Sequence, residues 1–431
     1  MLSFSQDKFI IQNKKQSDKV KFKLINNLII FPVEVNGVTL SFLLDTGVSK
    51  PMIFNFLNVS DTLKIKNTET IFLSGLGEGE SVEALKSRNN VFKIGDALKL
   101  NQDLYVVYNN KLNFASKIGS PVHGIMGFDL FRDFIVEINY STGYLKFTAP
   151  EKFQYKSCKK CERFNLEFYN RKPYINAQVR IEEKQIPVKL LIDSGGSDAL
   201  WLFENDSLGI RSNDAFFVDF LGHGLNGSVY GKRSKVNSFS LKSFVLNNAN
   251  VAFPDSTSIS LAKQIKNRNG SLSGNILKRF DVIFDYQKAL ITLKKNRYFN
   301  EKFSHNKSGI ELEHDGVRLV KEVDNKSLKD SNVFGNDDAQ NNNTRIVLST
   351  QYKLSLKPAY VIVELREDSP AKNAGLLIGD VVVSINNKRV YEYSLQQVMQ
   401  MFYDDAGKKI KLKVDRDSKY LTFQFQLQKL F

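Results

Sequence analysis

The hydrophobic pattern of this chain is one of short apolar runs separated by polar turns. Residues 1–26 are polar and rich in lysine, which predicts an entry strand and a loop. From residue 28 the pattern changes. Residues 28–35 and 38–44 are apolar runs on either side of Asn36-Gly37, the dipeptide that most strongly marks a tight hairpin. The second run ends in Leu43-Leu44-Asp45-Thr46-Gly47, and residues 51–54 read as a short return strand. Gly75, Gly77 and Gly79 alternate through 73–80, as suits a hairpin tip, and strands are predicted around 91–94 and 104–108. Ile125-Met126-Gly127 leads into a short helix, and 134–138 with 144–147 close the unit as a hairpin.

After a charged linker, 151–162, the order repeats. A hairpin of 174–181 and 186–192 ends at Asp193-Ser194-Gly195, with 199–203 as its return strand. Gly222, Gly224 and Gly227 form a second glycine-rich tip, Leu272-Ser273-Gly274 opens a second short helix, and 281–286 with 289–293 form a second closing hairpin. Asp45 and Asp193 are 148 residues apart, Gly75 and Gly222 147, Gly127 and Gly274 147, and Tyr140 and Tyr286 146. Landmarks in such register mark an internal duplication, so two equivalent β lobes are expected. Beyond residue 295 the composition shifts. Residues 327–344 are rich in Asn and Asp and predict a loop. A third unit follows, with a strand at 359–365, a capped short helix at 368–375, a turn and strand at 378–386, a helix at 395–402 and strands at 409–414 and 421–427.

The fold class expected is therefore mainly β: two tandem lobes at 25–150 and 163–297 forming one bilobal unit, then a β domain with short helices at 305–431. Composition agrees. The 431 residues exceed what one core serves, and 33 Phe and 16 Tyr against 1 Trp and 5 Met lean toward strands. The formal charge of +15 is spread along the chain, with neither a basic helix face nor an aromatic-basic motif, which disfavours nucleic acid as a partner. No apolar run is long enough for a transmembrane helix. The two cysteines, Cys158 and Cys161, form a lone C-x-x-C without the second pair or spaced histidines of a zinc site; they read as surface thiols or, in an oxidising compartment, a local disulfide. Residues 73–80 lack the Gly-Lys-Ser/Thr of a phosphate loop. No metal or organic cofactor is expected. Ser3-Phe4-Ser5 spaces small residues as at a signal-peptidase site, so two readings of location stand: export from a start upstream of Met1, or the cytoplasm.

Chemistry enters through the two aspartates. A carboxylate at the end of an apolar strand is costly unless paired or hydrogen-bonded, and two delivered by matching strands are each other's natural partner. A single Asp-Thr-Gly is more often an ordinary turn, glycine tips alone are ordinary hairpins, and Asp198 and Glu204 near the second loop read as solvated. The double occurrence reverses the first of these judgements.

Asp45-Thr46-Gly47 and Asp193-Ser194-Gly195 resemble the active-site signatures of aspartic proteases, and Ile125-Met126-Gly127 and Leu272-Ser273-Gly274 resemble the family's second element. Lobe size is closer to the retropepsin type, and the resemblance covers roughly 25–295. It implies Asp45 and Asp193 as a catalytic dyad formed within one chain, Thr46, Gly47, Ser194 and Gly195 as loop supports, and the two glycine tips as flaps over an extended peptide. Val48, Gly196 and Ser273 depart from the common pattern, and no tyrosine marks the first flap. The third unit resembles a PDZ domain of the bacterial protease-associated kind through 367–371, 374–376 and 379–386. It implies a peptide carboxyl terminus as ligand, held by a loop at Ser308 with Gly309, Ile310, Glu311 and Leu312. The other view of this unit is a plain β domain that packs on the lobes. The implied function is an aspartic endopeptidase acting on peptide or protein substrates; the alternative is a catalytically silent peptide-binding scaffold.

Overall fold

The computed structural model describes residues 7–54, 63–108, 114–265, 267–323 and 352–431; Ser3-Phe4-Ser5 and the Asn/Asp-rich stretch 327–344 lie outside them. The described residues are mostly strand, arranged in four sheets of nine, six, eight and six strands. No helix among them is long and apolar enough to cross a membrane.

The first lobe is built on the hairpin Leu28–Val35 and Val38–Leu44. Asn36 and Gly37 both take positive φ (49° and 88°), the backbone that a two-residue turn matching the twist of its strands requires. Gly124–Met126 lies parallel to the second strand, with Met126 opposite Leu44, and Met52–Phe54 flanks it on the other side. Apolar strands enclosed on both faces explain why this hairpin reads as unbroken hydrophobic runs rather than alternation. The second lobe repeats the arrangement. Lys172–Ile181 pairs with Lys184–Asp193, and Gly270–Ser273 runs parallel to the latter with Ser273 opposite Asp193.

The closing hairpins do not end their own lobes. Ile135–Asn139 pairs with Phe280–Asp285 across the duplication, with Val136 opposite Phe284 and Ile138 opposite Val282. One six-stranded sheet results, in the order Cys161–Asn165, Leu290–Lys295, Phe280–Asp285, Ile135–Asn139, Tyr144–Thr148, Ser17–Lys21. Its edge strands come from the N-terminal segment and from the end of the expected linker, so 151–162 is not linker throughout. Cys158 and Cys161 are joined in a disulfide just where that strand begins. A single hydrophobic cluster runs through both lobes and includes Phe131, Phe284 and Tyr286, with Phe131 stacked on Tyr286 at 5.1 Å.

The third unit has its own core around Ile362, Val382, Val398 and Phe402. Its helix Leu395–Met401 opens on a capping box between Ser394 and Gln397. Its first strand, Ile310–Val323, lay unread in the sequence apart from residues 308–312, and it pairs along its length with Tyr352–Leu365. The outer part of that two-stranded arm exposes Val317, Leu319, Leu354 and Leu356.

Candidate active site

Each Asp-containing loop is the exit of a central strand, and the two loops interlock. Thr46 N–H donates to Ser194 Oγ and Ser194 N–H donates to Thr46 Oγ1, both at 3.0 Å. Each hydroxyl then donates across the interface: Thr46 Oγ1 to the Ile192 carbonyl at 2.6 Å, and Ser194 Oγ to the Leu44 carbonyl at 2.8 Å. Both side chains are buried, so their polar atoms are fully used where water is excluded. This exchange fixes the two strand ends side by side.

The carboxylates follow from that placement. Asp45 Oδ1 accepts from Gly47 N–H at 2.7 Å and Asp193 Oδ1 from Gly195 N–H at 3.0 Å. A Cβ on Gly195 would lie 2.4 Å from Asp45 Oδ2, and one on Gly47 would lie 3.7 Å from Asp193 Oδ1. Each glycine therefore lies against the opposite carboxylate, and Gly195 leaves no room for a side chain. Beneath the first loop, a Cβ on Gly127 would meet the Asp45 carbonyl at 1.8 Å. The glycine that follows the second apolar element is required by close backbone approach.

Burial and the neighbouring charge of Asp193 push the Asp45 carboxyl up to about 7, against the opposing pull of the Gly47 N–H and the Lys172 ammonium. Asp193 is also pushed up, by burial, while Arg268, Lys172 and the Gly195 and Gly196 N–H groups hold it down. Two close carboxyls of this kind retain one proton between them and titrate as a unit. They lie in a cavity of about 520 Å³ whose walls differ: Met52, Phe54 and Ile125 on the side of Asp45, Trp201 and Asp198 on the side of Asp193.

The glycine tips form a roof, and one residue outside the expected set holds it shut. Asn226 Oδ1 accepts from Gly75 N–H at 2.6 Å and its Nδ2 donates to the Gly79 carbonyl at 3.0 Å. Its backbone N–H donates to the Leu76 carbonyl at 2.8 Å and its carbonyl accepts from Gly79 N–H at 2.7 Å. Gly75, Gly77, Gly79 and Gly224 all lie where a Cβ would strike the opposite tip. Gly222 and Gly227 do not; they have open space around them and take φ of 144° and 120°. Asn226 carried no signal in the sequence beyond its position in a turn.

Asp198 is not solvated. Its carboxylate accepts from Trp201 Nε1 and from Arg233 Nη1, both at 2.8 Å, and Arg233 Nε also donates to Asp219 at 2.9 Å. Glu204, exposed, pairs with Lys232. The Asp198 network continues into the third unit, where Arg366 approaches Asp219 at 3.8 Å and Tyr230 donates to Glu364 at 2.8 Å. The third unit's candidate residues lie at and just before the head of its first strand. Ile310 and Leu312 point into that unit's own core, and Glu311 faces Asp219 and Arg233 of the second lobe. Gly309, at φ 83°, packs against Ser369.

Comparison with known families follows the same division. An aspartyl protease family matches residues 31–130, within the first lobe, and a PDZ domain family matches residues 361–416. No curated protein matches the chain. The second lobe lies outside both matches and is tied to the first by the repeated motif and by the Thr46–Ser194 exchange. The chain thus contains an aspartyl protease domain followed by a PDZ domain.

Proposed function

We propose that the chain is an aspartic endopeptidase made of two lobes, 25–150 and 163–297, with a peptide-recognising domain at 305–431. The observation that carries this reading is the reciprocal Thr46–Ser194 exchange, which brings Asp45 and Asp193 together at the floor of a roofed cavity. A water held between the carboxyls is the nucleophile. The ionised carboxylate takes its proton as oxygen attacks the scissile carbonyl, and the protonated partner donates to that carbonyl oxygen. The tetrahedral intermediate collapses as its C–N bond breaks. The leaving nitrogen takes a proton from the dyad, and a hydroxyl of the intermediate gives its proton to the dyad as the product carboxyl carbonyl re-forms, so the dyad returns to its singly protonated state. The roof closes on an extended peptide and excludes bulk water.

The test is cleavage of an unfolded protein from acidic to neutral pH by wild type, Asp45→Asn and Asp193→Asn. Loss of at least ~10³-fold in both variants is expected, since neither half of a shared-proton pair works alone. Absence of cleavage by folded wild type at every pH would leave a silent peptide-binding protein.

A further inference from the structure

Among the described residues the strand Ile310–Val323 pairs only with Tyr352–Leu365, and the helix Phe114–Ile118 of the first lobe packs against it. Ser116 Oγ donates to Glu313 Oε2 at 3.2 Å. Just beyond that helix, Gly119 reaches Leu395, the first residue of Leu395–Met401; a Cβ on Gly119 would lie 2.6 Å from the Leu395 Cβ. The first-lobe helix is thus wedged against both the strand and the helix that would flank a peptide added to that strand's edge.

The head of the same strand is closed as well. Ser308 and Gly309 N–H groups donate to Asn306 Oδ1 at 3.0 and 3.2 Å, and Ile310 N–H donates to Ser308 Oγ at 3.0 Å. These are the donors a peptide carboxylate would use, and the chain's own side-chain oxygens already occupy them. The wedged helix and the strand also belong to the cleft. Phe114, Ile118, Leu312 and Glu313 line the cavity that holds Asp45 and Asp193, and the Phe114 ring lies 4.8 Å from that of Phe54. The helix cannot leave the strand without shifting part of the cleft wall.

We propose that the helix Phe114–Ile118 is an internal occupant of the third unit's peptide groove, and that a polypeptide carboxyl terminus binding along residues 308–313 displaces it and opens the cleft to substrate. The proposal rests on the protease reading above. The incoming carboxylate takes the Ser308 and Gly309 donors from Asn306, replacing a neutral acceptor with a charged one. Main-chain hydrogen bonds of an added strand replace the helix contacts. The ligand shifts the equilibrium only by its preference for the open form, so the effect saturates with ligand.

The experiment uses the full chain carrying Ser116→Cys and Glu313→Cys, joined by a short reducible methanethiosulfonate cross-linker, with wild type treated identically. Cleavage of an unfolded protein is measured before and after the linker is released. A pool of random heptapeptides with free carboxyl termini is then added, and in parallel the same pool amidated. The locked form is expected to cleave about tenfold more slowly than the released form, a difference of about 1.4 kcal/mol. The acid pool should accelerate the released form alone, and the amidated pool neither. Equal rates before and after release, no effect of the acid pool, or acceleration of the locked form overturns the gate while leaving the protease reading intact. No cleavage by any form, wild type included, removes both. Glu313→Ala in the otherwise native chain needs no cross-link and should raise the rate without added peptide; an unchanged or lower rate counts against the gate.

Discussion

At the scale of single residues, the dyad's chemistry is set by what surrounds it. Asp45 is raised to about 7 by burial and by Asp193, so the singly protonated pair persists into neutral pH. Under the proposed mechanism the pair works while it holds one proton, so cleavage should fall as pH rises through about 7 and that proton is lost. A profile of kcat/KM against pH should show its upper limb there. Lys172 holds both carboxyls down, so Lys172→Met should move that limb upward. Asp45, Thr46, Gly47 and their repeats were legible because local motif and register carry them. Asn226, Arg233 and Lys172 were not, because each acts through a partner on another element, and nothing near them in the chain names that partner.

At the scale of elements, the two glycine-rich tips are hairpins whose glycines answer to more than the turn. Alternating glycines gave the tips; the reason for glycine at Gly79 and Gly224 is the opposite tip rather than the turn itself, and Gly77, at φ 110°, answers to both. Two side-chain hydrogen bonds from Asn226 hold the roof across this contact. At about 0.5–1.5 kcal/mol each, their loss in Asn226→Ala should lower kcat/KM by roughly tenfold. The upper pH limb should stay in place, since no dyad partner is removed; a displaced limb would show that the roof acts on the carboxyls instead. The closing hairpins were legible as hairpins, but their union in one sheet was not. Strand pairing between halves is a long-range choice that a period-two pattern leaves open.

At the scale of the whole molecule, the third unit is docked through charge as well as shape. Glu311 is pushed up to about 7 by burial and by Asp219, with Asp198 adding to the effect and Arg233 and the Asn306 hydrogen bond opposing it. Arg366 and Tyr403 of its own unit also face it, and burial, with Arg233, Lys235 and Arg366 beside it, pushes His305 well below the usual imidazole range. A carboxyl raised in the docked state favours docking while protonated, so docking is strongest in acid and weakens as pH rises through about 7. Hydrogen exchange along Ile310–Val323 should quicken between pH 5 and pH 8 beyond the intrinsic effect of pH, and Glu311→Gln should remove that excess. The third unit's helices were readable from their caps. Its docking was not, because Glu311 and Arg366 look like ordinary strand-edge charges until the second lobe is set beside them.

The six-stranded sheet that joins the halves has a further meaning. Two identical chains meeting on such a sheet would be bound by symmetry to present the same wall to both sides of a scissile bond. Here the halves are covalently one, and they have diverged: Met52, Phe54 and Ile125 face one side of the dyad, Trp201 and an ion-paired Asp198 the other. Under the proposed function the two directions in which an extended peptide could lie across the dyad, equivalent in a symmetric pair, are therefore distinct here.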